Sequence, residues 1–227
     1  MRFRSKRYRN FLSKVPGKTP QPLDNAIRTV KDCASAKFTE SVDLAIRLNV
    51  DTRKADQQVR GSFSLPHGTG RDVRIVVFVD DSNVAAQCLE LGAVKAGGED
   101  LMNEVLAGFM DFDVAIATPK TMRLVGRLGR VLGPRGLMPS PKSGSVTEDV
   151  VKAVNEFKAG KIEYRADSAG NVNVRVGTVA FEPQQLTENI AAILRHITDA
   201  RPSSVKGEFV TNVTVSSTMG PGVRIAV

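Results

Sequence analysis

The most regular alternation of apolar and polar residues in the chain runs over residues 41–50. Apolar side chains occupy every second position there: Val42, Leu44, Ile46, Leu48 and Val50. A period of two predicts a β-strand with one face in a core and the other in water. The matching alternations lie far along the chain, at Val172, Val174 and Val176, at Val213 and Val215, and at Val223, Ile225 and Val227. We therefore predict one antiparallel sheet built from both ends of the chain, with the residues between them inserted into that domain.

The middle of the chain follows a different pattern, in which short apolar runs alternate with helical patterns. The runs IVVFV (75–79) and VAIA (114–117) are continuously apolar, which is typical of strands covered on both faces. A short strand is also predicted near 93–96, and helices are predicted at 82–91, 99–109, 119–132 and 147–157. This order predicts a parallel sheet of roughly four strands with helices on both of its faces.

The flanking regions supply the remaining elements of the split domain. A short helix is predicted at 23–34, a hairpin at 161–177 with its turn at 167–170, a helix from Pro183 to a stop at Pro202, and a strand at 205–218. The segment SFSLPHGTG (62–70) contains one Pro and two Gly, which predict a break in regular structure and the first crossing between domains.

The fold class is therefore α/β, with two domains. Residues 1–66 and 160–227 are predicted to form a discontinuous split α+β domain with an antiparallel sheet. Residues 67–159 are predicted to form an inserted Rossmann-like domain with a small parallel sheet.

The composition fits a soluble globular protein, since 41% of the 227 residues are hydrophobic and 25% are charged. No apolar run approaches the length of a membrane span, and the N-terminal residues lack the apolar core of a signal peptide. We expect the protein to stay in the cytoplasm and to have no membrane partner. Cys33 and Cys88, one in each predicted domain, are expected to be buried and reduced.

The net charge of +8 is concentrated in the first part of the split domain. Residues 1–66 contain 14 Lys and Arg against 6 Asp and Glu, residues 160–227 contain 7 against 6, and the inserted residues contain 11 against 12. Much of the excess lies between Arg2 and Lys18, and no acidic residue precedes Asp24. This pattern is typical of an arm that neutralises phosphates, with a solvated tail as the alternative.

A second basic segment lies within the inserted domain. Residues 119–145 include six basic residues and no acidic one. Four of the six fall on one face of the predicted helix: Lys120, Arg123, Arg127 and Arg130. The pattern leaves three partners open for this face, namely RNA, the other domain or water. Gly126 and Gly129 would each cost roughly 1 kcal/mol in an exposed helix, so they indicate close approach of another group.

The inserted parallel sheet and the Gly-rich segments raise a rival hypothesis, a nucleotide-using enzyme. The segment GTGRDV (68–73) lacks the third glycine of a dinucleotide fingerprint and precedes its strand, and no segment matches a phosphate-binding loop. His67 and His196 have no nucleophile paired with them in sequence, and no clustered Cys and His spacing suggests a metal site. We therefore predict no catalytic residue, no metal and no cofactor.

Five segments are similar, in order and spacing, to one known family: AKF (36–38), DTRKADQQVRG (51–61), LPHGTG (65–70), GPRGLMPSPKSG (133–144) and STMGPG (217–222). Together they resemble the bacterial form of the large-subunit ribosomal protein of the mobile side stalk, the L-one family, over essentially the whole chain. The fold of that family is a split α/β domain with an inserted Rossmann-like domain, in agreement with the alternations.

The resemblance implies a function and a set of partners. It implies a structural ribosomal protein, not an enzyme, that binds large-subunit ribosomal RNA through the split domain and assists the release of tRNA from the exit site. It also implies repression of the protein's own messenger RNA through a similar RNA fold. We expect the protein to be a monomer when free.

The resemblance places RNA contacts on two short segments, at Lys37, Phe38, Thr39, Thr218, Met219 and Gly220. RNA helices expose 2′-hydroxyls and phosphates in a shallow minor groove, which hydroxyls, backbone amides and flat apolar groups can contact. We therefore add Glu40, Ser216 and Ser217 as neighbours of the right chemistry, and Asp167 from a turn of the family. The alternatives are core packing for Phe38 and Met219, and an ordinary turn for Thr218 and Gly220.

Overall fold

The computed structural model describes residues 4–15, 17 and 19–226. The chain divides into two compact units, which we call unit 1 (Met1–Gly70 with Ile162–Val227) and unit 2 (Arg71–Lys161). The division falls after residues 70 and 161, whereas the sequence placed the domain boundaries after residues 66 and 159. Arg2 and Lys18 of the proposed arm and Val227 of the last alternation lie outside the described residues.

The helices of the described residues are α1 Lys6–Leu12, α2 Leu23–Cys33, α3 Ser82–Glu90, α4 Glu99–Leu106, α5 Met122–Val125, α6 Gly129–Leu132, α7 Val150–Lys158 and α8 Pro183–Asp199. Short 3₁₀ helices occur at Ala55–Gln57, Gly126–Leu128 and Pro141–Ser143. The strands are β1 Ser41–Leu48, β2 Arg60–Ser64, β3 Ile75–Phe78, β4 Lys95–Gly97, β5 Val114–Ala117, β6 Lys161–Arg165, β7 Asn171–Thr178, β8 Val210–Ser217 and β9 Val223–Ile225.

Unit 1 is built on a four-stranded sheet with the strand order β7-β1-β8-β9. Its pairings are antiparallel, and Leu44 of β1 lies opposite Val174 of β7 on one side and Val215 of β8 on the other. The predicted antiparallel sheet, made from both ends of the chain, is therefore confirmed.

One face of this sheet packs against α2 and α8. Val30 of α2 and Ile190 of α8 are buried in the same apolar cluster as Leu44 and Val215. Helix α8 begins with a capping box between Glu182 and Gln185, in which each side chain accepts a hydrogen bond from the other's backbone N–H. The alternate residues of the strands are partly or fully exposed, so the opposite face of the sheet is polar.

Unit 2 has a parallel sheet with the strand order β4-β3-β5. Its central strand β3 is completely buried, because alternate residues enter two separate apolar clusters. Val76 and Phe78 pack with α4 and with residues 122–132, and Ile75 and Val77 pack with α3 and α7. The prediction of a small parallel sheet covered on both faces is confirmed. The sheet has three strands rather than four, and its only further pairing among the described residues is a single parallel bridge from Ala117 to Val146.

Four local predictions are wrong in whole or in part. The helix expected over 119–132 is instead α5, a 3₁₀ turn and α6, because the hydrogen-bonding pattern changes at the poor helix formers Gly126 and Gly129. The expected break at 62–70 begins later than predicted, because residues 62–64 belong to β2. Strand β2 pairs with β6. Strand β6 therefore does not form the expected hairpin with β7, and the two are joined by one bridge between Ala166 and Val172. Strand β8 begins at Val210 rather than at residue 205.

Candidate nucleic-acid interface

The start of β1 and the end of β8 lie side by side, so the two predicted contact segments meet at one edge of unit 1. Val42 is paired with Ser217 in the sheet. One residue further out, the backbone N–H of Thr218 donates to the Ser41 carbonyl at 3.0 Å, and the Ser41 N–H donates to Thr218 Oγ1 at 3.0 Å. The Thr218 side chain thus extends the ladder beyond the last paired residues.

The Glu40 side chain joins the two segments from inside. Its Oε1 accepts a hydrogen bond from the Ala36 N–H and its Oε2 accepts one from the Met219 N–H, both at 3.0 Å. Burial alone would raise the pKa of Glu40, but these backbone donors lower that pKa below its ordinary value of 4.5. The nearby Ser217 hydroxyl lowers the pKa of Glu40 further, although the Ser217 oxygen does not reach hydrogen-bonding geometry with the carboxylate. Glu40 therefore holds both segments in place as an ionised carboxylate.

Two large apolar side chains project from this frame into solvent. Phe38 is 55% exposed and Met219 is 43% exposed. The alternative of core packing is therefore wrong for both residues. Thr218 and Gly220 do form a turn, in which the Gly220 N–H donates to the Ser217 carbonyl at 3.2 Å.

The accessible residues of the two segments define what we call the contact strip: Lys37, Phe38, Thr39, Ser216, Thr218, Met219 and Gly220. Glu40 and Ser217, which were predicted as contact residues, are only 2% and 3% exposed and point into the protein. In this conformation the two side chains lie beneath the contact strip, on its side that faces the protein interior. Gly220 is tightly placed, because a Cβ atom there would lie 2.5 Å from the Ser217 hydroxyl oxygen.

A shallow cleft of about 350 Å³ lies beside the first segment. Val179 and Ala180 line it together with Ala34 and residues 36–40. The Val179 N–H donates to the Glu40 carbonyl at 2.9 Å. Sequence reasoning missed both residues, because their place follows from the pairing of β1 with β7 and not from a local pattern.

Asp167 lies at the other end of the sheet from the contact strip. It precedes Asn171, which pairs with Arg47 near the end of β1, so about six residues and roughly 20 Å of strand separate it from Ser41. Asp167 Oδ1 accepts hydrogen bonds from the N–H groups of Ala169 at 2.9 Å and Asn171 at 2.8 Å. The structure does not bring Asp167 together with the other predicted contact residues.

We expect Asp167→Ala to lower the melting temperature and to leave RNA affinity unchanged. The backbone N–H and side chain of Asn171 lower the pKa of Asp167, so the carboxylate stabilises the turn above its unfolded pKa and loses that effect as the pH falls through the lowered value. The difference in melting temperature from the parent should therefore shrink in acid. Asp167→Asn, which keeps the acceptor oxygen, is the matched control. If Asp167→Ala lost RNA affinity while its melting temperature stayed unchanged, Asp167 would have to be a contact residue of the RNA interface.

Unit 2 has a crevice of about 370 Å³ beyond the carboxyl ends of β3 and β5, the place where open parallel sheets commonly bind ligands. The residues that follow β3 are Val79, Asp80 and Asp81, and both acids line the crevice. Asp81 Oδ1 accepts a hydrogen bond from the Asn83 N–H at 2.9 Å at the start of α3. A carboxylate occupies the position where a nucleotide-binding loop would present amides to a phosphate.

The two histidines are also accounted for by local contacts. His67 Nε2 pairs with the Glu188 carboxylate at 2.5 Å. His196 Nε2 lies 3.0 Å from the Tyr164 hydroxyl, and its ring packs on Phe63 at a centroid distance of 4.7 Å. Within residues 4–15, 17 and 19–226, no group of three or more His, Cys, Asp or Glu side chains is arranged to hold a metal ion.

Comparison with known proteins defines the class: this chain is a ribosomal protein. It is 48% identical over 221 residues to the large ribosomal subunit protein uL1 of Burkholderia mallei (strain SAVP1), Burkholderia pseudomallei (strain 668) and Burkholderia thailandensis, and each match covers 97% of this chain and 95% of the relative. The family model for ribosomal protein L1p/L10e matches residues 30–221. The chain belongs to the ribosomal protein L1p/L10e family.

Family membership confirms the resemblance found in the five segments. It also confirms that the chain is not an enzyme and that its place is the ribosome of the cytoplasm. In the part of the chain that the structure describes, no helix combines the length and the hydropathy needed to cross a membrane.

Proposed function

We propose that this protein is a structural component of the large ribosomal subunit and binds the ribosomal RNA of that subunit through the contact strip of unit 1. The observation that supports this most directly is the exposure of Phe38 and Met219 on a backbone held from behind by Glu40. Exposed apolar side chains on a fixed frame are typical of a binding surface. The relatives that match this chain are proteins of the large ribosomal subunit.

The chemistry of the contact strip suits a double-stranded or folded RNA. A flat apolar surface can lie against sugars and bases in the wide minor groove, while hydroxyl groups such as those of Thr39 and Ser216 can bond 2′-hydroxyls. Lys37 adds a cation that is exposed at the same edge. Because the β-ladder and Glu40 fix the backbone, little conformational freedom is lost on binding, which favours affinity.

The N-terminal segment fits the role of a phosphate-neutralising arm. Helix α1 has no buried residue, and its neighbourhood exposes Arg4, Lys6, Arg7 and Arg9. Such an arm adds affinity that depends on salt but not on sequence. A solvated tail is the alternative, and it would add no salt dependence.

Two further roles rest on the family resemblance alone. We propose that the protein assists the release of tRNA from the exit site while it is bound to ribosomal RNA. We also propose that it represses its own messenger by binding a similar RNA fold with the same contact strip. In that case messenger and ribosomal RNA compete for one surface, and free protein represses only after its ribosomal site is filled.

Footprinting of the full chain on deproteinised large-subunit RNA tests the main proposal. We expect protection of a single compact region that survives competition with excess random RNA. Protection should be reduced in parallel when an unlabelled fragment of the messenger is added. Diffuse protection that random RNA abolishes would show non-specific basic binding and contradict the proposal.

A further inference from the structure

The contact strip contains a sulfur atom whose reactivity the proposed function does not use, the thioether sulfur of Met219. Met219 is exposed, whereas the other four methionines of the described residues are buried or partly buried. Those four pack in or against one apolar cluster of unit 2: Met102, Met110, Met122 and Met138. Met1, the sixth methionine of the chain, lies outside the described residues. Accessibility therefore distinguishes Met219 from the methionines of unit 2.

The two cysteines do not compete with Met219 as reactive sulfur atoms. Cys33 and Cys88 are both buried. Burial also raises the pKa of each thiol above its ordinary value, so both thiols remain protonated at neutral pH. The thiolate is the reactive form of cysteine, and buried thiols of this kind are inert. Among the residues that the structure describes, Met219 therefore carries the most accessible sulfur atom.

The backbone around Met219 is held by bonds that do not involve its side chain. The Met219 N–H donates to Glu40 Oε2 at 3.0 Å, and the Thr218 N–H donates to the Ser41 carbonyl at 3.0 Å. Both bonds use main-chain donors of the loop, while the Met219 side chain is exposed to solvent. A chemical change at the sulfur therefore alters the surface of the contact strip and leaves its backbone in place.

Hydrogen peroxide converts an accessible thioether into a sulfoxide. The sulfur lone pair attacks one oxygen of the peroxide, an S–O bond forms and the O–O bond breaks. The proton on the transferred oxygen passes to the departing oxygen, which leaves as water. The sulfur is oxidised by two electrons and the peroxide is reduced. Methionine sulfoxide reductases reverse the change with two thiols, which become a disulfide while the sulfoxide oxygen leaves as water.

The sulfoxide is poorly suited to an apolar contact with RNA. Oxidation turns a flexible apolar side chain into a polar one whose oxygen carries partial negative charge. Against RNA, this side chain gives up its contact with sugars and bases and brings that oxygen towards negative phosphates. We expect a loss of affinity of about tenfold, similar to the removal of one side chain that packs against RNA.

We propose that Met219 is a reversible oxidation site at which peroxide lowers the RNA affinity of the contact strip. This inference rests on the proposed function of unit 1. Bound RNA covers Met219 in that function, so the free protein is the form that peroxide oxidises. Oxidation thus withdraws free protein from ribosomal RNA and from the messenger, and a methionine sulfoxide reductase restores its binding.

Peptide mass spectrometry of the full chain after graded exposure to hydrogen peroxide tests the site itself. We expect the sulfoxide of Met219 to form before that of any methionine of unit 2. Large-subunit RNA added before the peroxide should slow oxidation of Met219 and leave the rates of the unit 2 methionines unchanged. Oxidation of a unit 2 methionine ahead of Met219 would overturn the inference, and so would an unchanged rate at Met219 in the presence of bound RNA.

RNA titration before and after peroxide treatment tests the consequence, with each protein compared only with itself. The parent should lose about tenfold in affinity on oxidation, while Met219→Leu, which has no sulfur at this position, should lose little. The matched control is Met110→Leu, which removes a partly buried methionine of unit 2 and should lose affinity as the parent does. An equal loss in Met219→Leu and in the parent would contradict the proposed site.

Recovery of binding gives a further readout. Methionine sulfoxide reductases for both sulfoxide epimers, supplied with dithiothreitol, should restore the affinity of the oxidised parent, while dithiothreitol alone should not. Restoration by dithiothreitol alone would assign the effect to Cys33 or Cys88 and overturn the inference. Met219→Gln, which has a polar side chain of similar length, should bind RNA about tenfold more weakly than Met219→Leu without any peroxide. Equal affinities of these two variants would also count against the inference.

Failure of this inference can be told apart from failure of the proposed function. If the untreated parent shows no specific RNA binding, the proposed function of unit 1 fails and the inference falls with it. If the untreated parent binds specifically and the form oxidised at Met219 binds equally well, only the control of binding by oxidation is lost.

Discussion

Glu40→Ala is expected to lower the free energy of unfolding by about 2–4 kcal/mol and to weaken RNA binding. The substitution leaves the N–H groups of Ala36 and Met219 without their acceptor. A buried donor left unpaired costs about 1–3 kcal/mol, and these two hydrogen bonds are partly buried, so each loss should fall in the lower part of that range. It also removes the link that Glu40 makes between Ala36 and Met219, and leaves the ladder bonds of Ser41 with Thr218 to join the two segments. Chemical denaturation and RNA titration measure the two effects.

Two control variants separate the loss of the hydrogen-bond acceptor at residue 40 from the loss of a negative charge on unit 1. Glu40→Gln keeps one acceptor oxygen but turns an NH₂ group towards a backbone donor, so an intermediate loss is expected. Glu208→Ala removes an exposed acid from the same unit and should change stability by less than about 0.5 kcal/mol. If Glu40→Ala bound RNA with unchanged affinity, RNA binding by the contact strip would not depend on the hydrogen bonds of Glu40.

The effect of Glu40 should also depend on pH. Its pKa in the folded protein lies below the ordinary value of 4.5, so the carboxylate stabilises the fold fully above about pH 4.5 and loses this effect as the pH falls through the lowered pKa. The difference in unfolding free energy between the parent and Glu40→Gln should therefore be constant near neutral pH and should shrink in acid. A difference that grew in acid would contradict the assignment of Glu40 as an ionised group.

Phe38→Ala/Met219→Ala is expected to reduce RNA affinity by about 10- to 100-fold for each residue replaced, with little change in stability. Both side chains are largely exposed in the free protein, so folding does not depend on burying them. Stacking or packing of an exposed side chain against RNA contributes about 1–3 kcal/mol. Affinity measured at several salt concentrations should fall by the same factor throughout, because no charge is removed.

The matched control replaces two leucines of unit 2 that are exposed to a similar extent. Leu89 is 46% exposed and Leu106 is 51% exposed, and Leu89→Ala/Leu106→Ala should bind RNA as the parent does. Equal losses in both double variants would indicate a general effect of surface hydrophobicity. No loss in the Phe38 and Met219 variant would remove the contact strip from the interface.

Much of the architecture could be predicted because alternation is a strong local signal of which strands share a core. Leu44, Val174 and Val215 come from three distant segments, yet all lie in strands with the same period of two, and they meet in one sheet. The break in the helix at Gly126 was not predicted, since side-chain periodicity is nearly the same in α and 3₁₀ turns over so few residues. The pairing of β2 with β6 joins two short strands far apart in sequence, and neither has a clear alternation.

The candidate site was predicted less well than the fold, although one overlooked signal was present. Glu40 is in phase with Val42 and Leu44, and Ser217 is in phase with Val215, so the alternation already placed both polar residues on the buried face. Their polarity alone suggested contact with a partner. Asp167 was placed in the site by resemblance, and its distance from the contact strip becomes apparent only from the strand register.

The pairing of β1 with β8 has a consequence for the synthesis of the protein. Half of the contact strip precedes residue 42 and the other half follows residue 215, so a nascent chain contains no complete strip until residue 220 has been translated. Unit 2 lies between the two halves and is continuous, so it can fold as soon as it emerges. If the contact strip binds RNA as proposed, a nascent chain that has not reached residue 220 cannot occupy the ribosomal site or the messenger.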